Sequence, residues 1–235
     1  MKIAGKILKW LFHAVCVIVV FGTIGLSVWR IFMLGTPNAL KGIEPNARLC
    51  EAYRQNDGEL TVFYQNQNSI TRAENNAGYF GAIEVSFIEE ADQLQVVFRY
   101  NTSTLKHLRE DFSLSETPNR DGDYFDVTVL LVTDLTPDVE EDNYGNDPSS
   151  VSFTRYYPTS CTSYQNSLYN YYKLTFDGVS VEDLTLAVYM DVYYNEAIDY
   201  EKDPYGALCL YDYKLKRIER KLSSSNIAAI EEFGQ

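Results

Sequence analysis

The chain has 235 residues, and its 20 lysine and arginine side chains are outnumbered by 33 aspartates and glutamates. Four basic and no acidic residues lie in the first 34 positions, which leaves 16 basic against 33 acidic side chains, a net charge of −17, for the rest. Nucleic acids and anionic lipids bind through cationic surfaces, so this composition disfavours both as partners. We expect no nucleic-acid partner.

Residues 11–29 contain no ionisable side chain except His13, and they follow Lys2, Lys6 and Lys9. As a helix these nineteen residues would be roughly 28 Å long, close to the hydrocarbon thickness of a bilayer. The sequence therefore predicts a cytoplasmic basic tail over residues 1–10 and a single transmembrane anchor over residues 11–34.

The anchor is predicted to be retained in the cell membrane. The apolar run is longer than the 7 to 15 residues of a cleaved signal, and Pro37 and Ala39 stand where two small residues would be needed for cleavage. Arg30, Lys41 and Arg48 after the span nearly balance the three lysines before it. We predict a cytoplasmic N-terminus, because Arg30 can snorkel from an apolar turn and an acidic domain suits export.

Past a juxtamembrane segment over residues 35–54, apolar and polar residues alternate with the period of β-strands. The predicted strands cover residues 60–65, 81–88, 93–100, 124–132, 151–157, 168–176, 184–194 and 207–213. In the strand over residues 184–194, Val188, Met190 and Val192 would face a core, with Tyr189 and Tyr193 on the outer face. We predict an all-β domain over residues 55–222, an immunoglobulin-like or jelly-roll-like β-sandwich of about eight strands.

Two short helices are predicted at the margins of this domain. Leu105, Leu108 and Phe112 have helical spacing within residues 103–112. A serine cluster, an apolar stripe and Gly234 predict a short C-terminal helix over residues 223–235, which we expect to pack on the domain.

The sequence offers little catalytic chemistry. His13 and His107 are its two histidines, which excludes a multi-histidine zinc site, and no nucleophile elbow or phosphate-binding loop occurs. Cys50, Cys161 and Cys209 form no C-x-x-C motif, and an oxidising compartment would permit one disulfide of undetermined pairing. We expect neither an enzyme nor a cofactor.

Two acidic groups are candidates for ligand chemistry. The first is a candidate for weak calcium binding on an oxygen-rich loop, with a solvated loop as the alternative, and consists of Asp138, Glu140, Glu141 and Asp142. The second follows the strand over residues 184–194 and consists of Asp191, Glu196, Asp199 and Glu201. Paired carboxylates about 5 to 9.5 Å apart serve glycoside hydrolysis, so the second group is a candidate for that chemistry, with ordinary surface carboxylates as the alternative.

Tyrosine is concentrated late in the chain, with 13 of the 19 tyrosines after position 150. Tyrosine rings suit recognition surfaces, although tyrosine also favours strands for structural reasons. We predict a ligand surface on the outer faces of two late strands, formed by Tyr189, Tyr193, Tyr211 and Tyr213. The sequence thus favours an extracytoplasmic recognition or assembly module for a protein partner in the cell envelope. The alternative is a carbohydrate-binding or glycoside-cleaving envelope protein that uses the tyrosines and the carboxylates from Asp191 to Glu201.

Overall fold

The computed structural model describes residues 2–64, 71 and 72, 79–133, 152–181, 185–213 and 218–234. The chain forms two compact units, Met1–Pro37 and Asn38–Gln235. The first unit is the helix α1 (Lys2–Leu34). Within it, the 23 residues Lys9–Ile31 are long and apolar enough to cross a membrane, and a signal sequence would have the same properties. The hydroxyls of Thr23 and Ser27 donate to carbonyls of the same helix, so these polar groups are satisfied within it.

The second unit is mostly β-sheet. Its described residues include eleven strands: β1 (Thr61–Tyr64), β2 (Thr71–Arg72), β3 (Phe80–Ile88), β4 (Gln93–Asn101), β5 (Phe125–Thr133), β6 (Ser152–Tyr156), β7 (Ser160–Gln165), β8 (Tyr169–Asp177), β9 (Thr185–Tyr194), β10 (Gly206–Asp212) and β11 (Ile218–Lys221). The first sheet has the order β11-β1-β3-β4-β8-β7 and the second the order β2-β10-β9-β5-β6. All neighbouring strands are antiparallel.

Three helices accompany these sheets: α2 (Ala47–Gln55), α3 (Thr102–Asp111) and α4 (Ser224–Phe233). The eight predicted strands correspond to β1, β3, β4, β5, β6, β8, β9 and β10, and the two predicted helices correspond to α3 and α4. The prediction of a mostly β domain in two antiparallel sheets with a short C-terminal helix is therefore confirmed. Strands β2, β7 and β11 were not predicted, and neither was α2, which begins within the predicted juxtamembrane segment and ends one residue after it.

The two sheets bury their apolar side chains in one shared core. Leu94, Val96 and Phe98 of β4 contribute from the first sheet, and Val188, Met190 and Val192 of β9 contribute from the second. The rings of Phe80 and Phe125 meet edge to face across this core with centroids 5.0 Å apart. Helix α3 adds Leu105 and Leu108, both fully buried, so it closes part of the same core.

Helices α2 and α4 pack together in a second apolar cluster that includes Leu49, Cys50 and Ile230. The side chains of Asn46 and Ser223 cap their N-termini by accepting hydrogen bonds from backbone amides. The amide oxygen of Asn226 in α4 also accepts a hydrogen bond from the backbone of Ile43. Gly42, with φ of +83°, allows this approach, because a Cβ at this position would lie 2.6 Å from that oxygen. The start and the end of this unit are thereby joined.

Candidate functional site

The structure separates the four tyrosines that were predicted to share an exposed surface. Tyr189 is half-buried, Tyr193 is 3% exposed, Tyr211 is 4% exposed and Tyr213 is 47% exposed. Tyr211 belongs to the shared core, so the prediction that it faces outward is wrong. Four rings in such different environments do not form one surface.

A β-bulge accounts for the inward orientation of Tyr211. In the pairing of β10 with β9, Cys209 lies opposite Tyr189 but Tyr211 lies opposite Val188, so the register shifts between the two residues. The shift places Tyr211 on the core side with Val188, and its ring packs edge to face on Phe87 with centroids 5.9 Å apart. If side chains alternated strictly along β10, Tyr211 would lie on the same outer face as Cys209.

Tyr193 does lie on the outer face of the second sheet, but residues 195–205 fold back across it. We call these residues the covering segment. The ring of Tyr200 in this segment packs edge to face on Tyr193, with centroids 5.0 Å apart. Tyr200 also donates a short hydrogen bond to the carboxylate of Asp126 on β5. The covering segment therefore removes Tyr193 from solvent although its position in the strand points outward.

A buried polar cluster lies beneath the covering segment, and we call it the Arg155 cluster. The guanidinium of Arg155 donates to Thr128 Oγ1 at 3.0 Å and to the hydroxyl of Tyr193 at 2.9 Å. It also donates to the backbone carbonyl of Tyr200 at 3.2 Å and lies 4.0 Å from the carboxylate of Asp191. One arginine on β6 thus links β5, β9 and the covering segment.

Asp191 is the buried acid of this cluster and is 4% exposed. Its burial raises the pKa of its carboxyl group to about 6, although the Arg155 guanidinium and the Tyr193 hydroxyl oppose the shift. The other predicted carboxylates have different surroundings. Glu196 accepts a hydrogen bond from the Tyr194 hydroxyl, Asp199 forms an ion pair with Lys202 at 2.7 Å, and Glu201 is exposed.

Replacing Asp191 with asparagine should change how the free energy of unfolding depends on pH. An unfolded aspartate ionises near pH 4, whereas folded Asp191 ionises near pH 6. Between these values the folded state retains a proton that the unfolded state has lost, so the wild-type protein loses stability as the pH rises through this window. The shift corresponds to about 3 kcal/mol. The free energy of unfolding of Asp191→Asn, measured in urea relative to that of wild type, should therefore rise by about 3 kcal/mol between pH 4 and pH 7.

The exposed carboxylate of Glu201 provides the matched control for this measurement, through Glu201→Gln. A stability difference between Asp191→Asn and wild type that stays constant with pH would contradict the assignment of the raised pKa to Asp191.

Beside the covering segment lies a cleft of about 490 Å³, which we call the loop cleft. It is lined by Phe112, Tyr193, Tyr194, Ala197, Asp199, Lys202, Asp203, Pro204 and Tyr205. Phe112 packs against both Tyr194 and Tyr205, with ring centroids 4.6 and 5.6 Å away. The aromatic side of the cleft therefore comes from the end of α3, the end of β9 and the end of the covering segment.

Charged groups position the aromatic side chains and surround the cleft. The Tyr205 hydroxyl donates to the carboxylate of Asp111, and desolvation together with this hydrogen bond raises the pKa of Tyr205. Desolvation and the Glu196 carboxylate raise the pKa of Tyr194 to about 12, so both phenols stay neutral at physiological pH. The hydrogen bond from Lys202 lowers the pKa of Asp199. The cleft thus combines neutral aromatic side chains with fixed charges of both signs.

Two of the nine lining residues, Tyr193 and Asp199, were predicted as site residues from the sequence. Phe112 was predicted only as the end of a helix and not as a site residue. The sequence did contain a signal for this site, a dense run of charged and turn-forming residues over 199–205. Such a run indicates a surface loop, and this one follows a strand that ends in two tyrosines.

The calcium candidates Asp138, Glu140, Glu141 and Asp142 lie outside the described residues. Within the described ranges, no three histidine, cysteine, aspartate or glutamate side chains are grouped so as to hold a metal ion. No protein-family model matches the chain, and no curated protein or solved structure matches it either.

Proposed function

We propose that this chain is a single-pass membrane protein with a cytoplasmic N-terminus and an extracytoplasmic recognition domain. In this proposal the two sheets form an immunoglobulin-like or jelly-roll-like β-sandwich that binds a protein partner in the cell envelope. The proposal is supported by the 23-residue apolar stretch Lys9–Ile31 and by the strongly acidic composition of the rest of the chain. Both features suit a domain tethered to a membrane surface.

The loop cleft is the single observation that carries the recognition role. Ligand sites are typically concave, have volumes of about 300 to 1,000 Å³, and combine aromatic walls with a few polar groups. The cleft meets each criterion. Phe112 at its edge is 36% exposed, and Ile198 of the covering segment is 40% exposed. Exposed apolar side chains beside a charged cleft fit a partner that inserts one side chain and packs around it.

Carbohydrate binding is the second candidate, because aromatic rings beside charged groups also suit a sugar ring. The structure of the cleft supports binding of a carbohydrate but not cleavage of a glycosidic bond. Asp191 is buried among hydrogen-bonding neighbours and Asp199 is ion-paired, whereas glycoside hydrolysis requires two carboxylates that reach the substrate.

Truncating Phe112 should remove the interaction without unfolding the domain. We would place a photo-crosslinking amino acid at the exposed position Lys202, express the full chain, irradiate the membranes and then wash them with carbonate. A hot-spot aromatic side chain contributes about 2 kcal/mol or more to binding. Phe112→Ala should therefore lower the yield of the crosslinked partner at least about tenfold. The protein itself should remain in the carbonate-washed membrane.

Phe153→Ala is the matched control, because Phe153 is an exposed ring on β6 that does not line the loop cleft. Equal yields from both variants would argue against the loop cleft as the binding site. A glycan array probed with the same two variants tests the carbohydrate candidate. Release of the chain by carbonate would argue against the membrane anchor. The comparison of crosslinking yields between Phe112→Ala and Phe153→Ala would still test the loop cleft.

A further inference from the structure

Strand β7 lies at the edge of the first sheet and carries no charged side chain. Its six residues are Ser160, Cys161, Thr162, Ser163, Tyr164 and Gln165. Edge strands are usually protected against further pairing by lysine, proline or a bulge. Over these residues β7 has none of the three, and its register with β8 runs without a shift from Ser160 opposite Thr175 to Gln165 opposite Asn170. It is a regular strand with an unprotected edge.

The hydrogen bonds at the end of the hairpin show which backbone groups point away from the sheet. The amide of Asn166 donates to the carbonyl of Tyr169 at 3.0 Å, which marks a hydrogen-bonded pair. Because such pairs alternate along an antiparallel ladder, the backbone of Cys161, Ser163 and Gln165 points outward. In the part of the chain that the structure describes, no backbone group pairs with these three residues along the open edge.

We propose that β7 pairs with β7 of a second copy of this chain, antiparallel and across a two-fold axis at Ser163. In this register Ser163 lies opposite Ser163 of the partner subunit, and Cys161 lies opposite Gln165 of the partner subunit. All three outward-pointing residues then form hydrogen-bonded pairs, and the first sheet continues from one copy into the other. A two-fold register displaced along the strand pairs fewer of them.

Charge favours a second copy as the occupant of this edge. The chain is so acidic that most of its surface repels another copy, whereas β7 places no like charges opposite each other. The nearby charges are also complementary. The Thr162 hydroxyl donates to the Glu44 carboxylate at 2.9 Å, which places this carboxylate beside the first half of β7. Arg120 lies at the other end, where its carbonyl accepts from Gln165 and its guanidinium binds the Asn166 carbonyl.

Antiparallel pairing brings the Glu44 end of each strand to the Arg120 end of the other. The paired strands supply six residues from each copy, whereas stable complexes use about 20 to 30 residues a side. The dimer should therefore be weak and dissociate on dilution.

The two-fold register can be tested with engineered cysteines in the full chain, purified in detergent micelles. The background carries Cys16→Ser and Cys161→Ser, and it keeps Cys50 and Cys209, whose side chains are buried. Residues opposite each other in a hydrogen-bonded pair have Cα atoms about 5.5 Å apart, within the range for a disulfide. Under copper-phenanthroline oxidation, Ser163→Cys should form disulfide dimers at least about tenfold faster than Ser167→Cys, an exposed position in the adjacent turn.

A second pair of variants tests the interface without a disulfide. Ser163→Lys places two positive charges opposite each other, whereas Ser163→Gln adds a neutral side chain of similar reach. Sedimentation at increasing protein concentration should show a dimer for wild type and Ser163→Gln, and a monomer for Ser163→Lys. Equal oxidation at positions 163 and 167, the absence of a disulfide dimer, or a dimer that survives Ser163→Lys would each overturn the proposal. The last outcome would place the contact elsewhere, for example on α1.

Discussion

Truncation of Tyr211 to alanine should destabilise the domain by about 3 to 5 kcal/mol, the range for removing a buried aromatic side chain from a packed core. The β-bulge in β10 places this ring in the shared core against Phe87, where it is 4% exposed. For a domain of this size the loss corresponds to a fall of roughly 10 °C in the thermal midpoint. Thermal unfolding followed by circular dichroism measures it directly.

Tyr213 is the matched control, since it is two residues away and 47% exposed. Tyr213→Ala should change the free energy of unfolding by less than about 0.5 kcal/mol, as surface substitutions usually do. If Tyr211→Ala left the thermal midpoint unchanged, its ring would not be in the core, and the bulge would be assigned to the wrong residues.

Replacing Arg155 with alanine should also cost about 3 to 5 kcal/mol, because it leaves the buried Asp191 carboxylate without its cationic partner. The substitution also removes the donors to Thr128 and Tyr193, and it frees the Tyr200 carbonyl in the covering segment. Urea unfolding at pH 7 gives the overall loss. Hydrogen exchange across residues 195–205 should rise more than exchange in the central strands, because Arg155 joins that segment to the sheet.

Arg109 offers the comparison for Arg155. It lies on α3 in a solvent-exposed pair with Glu110 at 3.9 Å, and such pairs contribute little to stability. Arg109→Ala should therefore remain within about 0.5 kcal/mol of wild type. Similar losses for both arginines would mean that the Arg155 cluster has no special role in holding the covering segment.

The sequence predicted those strands whose two faces differ clearly in polarity. In β4, Leu94, Val96 and Phe98 all reach the shared core, and two of the residues that alternate with them, Gln95 and Arg99, are polar. Strand β7 was not predicted because an edge strand buries little side-chain surface. Its side chains are almost uniformly polar, so they show no alternation. Helix α2 was not predicted because its apolar stripe is short and packs against α4, an element far away in the sequence.

The candidate site was less predictable, since its residues come from three separate elements. The charged loop after β9 was visible in the sequence, but its fold across Tyr193 depends on Tyr200 and Arg155. The alternation of polar and apolar residues also does not show where a bulge occurs. A bulge moves the strand residues that follow it to the opposite face of the sheet. The assignment of Tyr211 failed for that reason.

The junction of α2 with α4 has a consequence for the order in which the protein is made. The Cys50 thiol donates to the carbonyl of Ile230, a residue 180 positions later, and β1 pairs with β11 from the same late part of the chain. Translation proceeds at about 5 to 20 residues per second, so the early partners emerge many seconds before the late ones. During that interval Leu49 and its apolar neighbours lack the part of their native cover that Leu222 and Ile230 supply. That corner of a nascent chain therefore stays partly uncovered until its last helix has been synthesised.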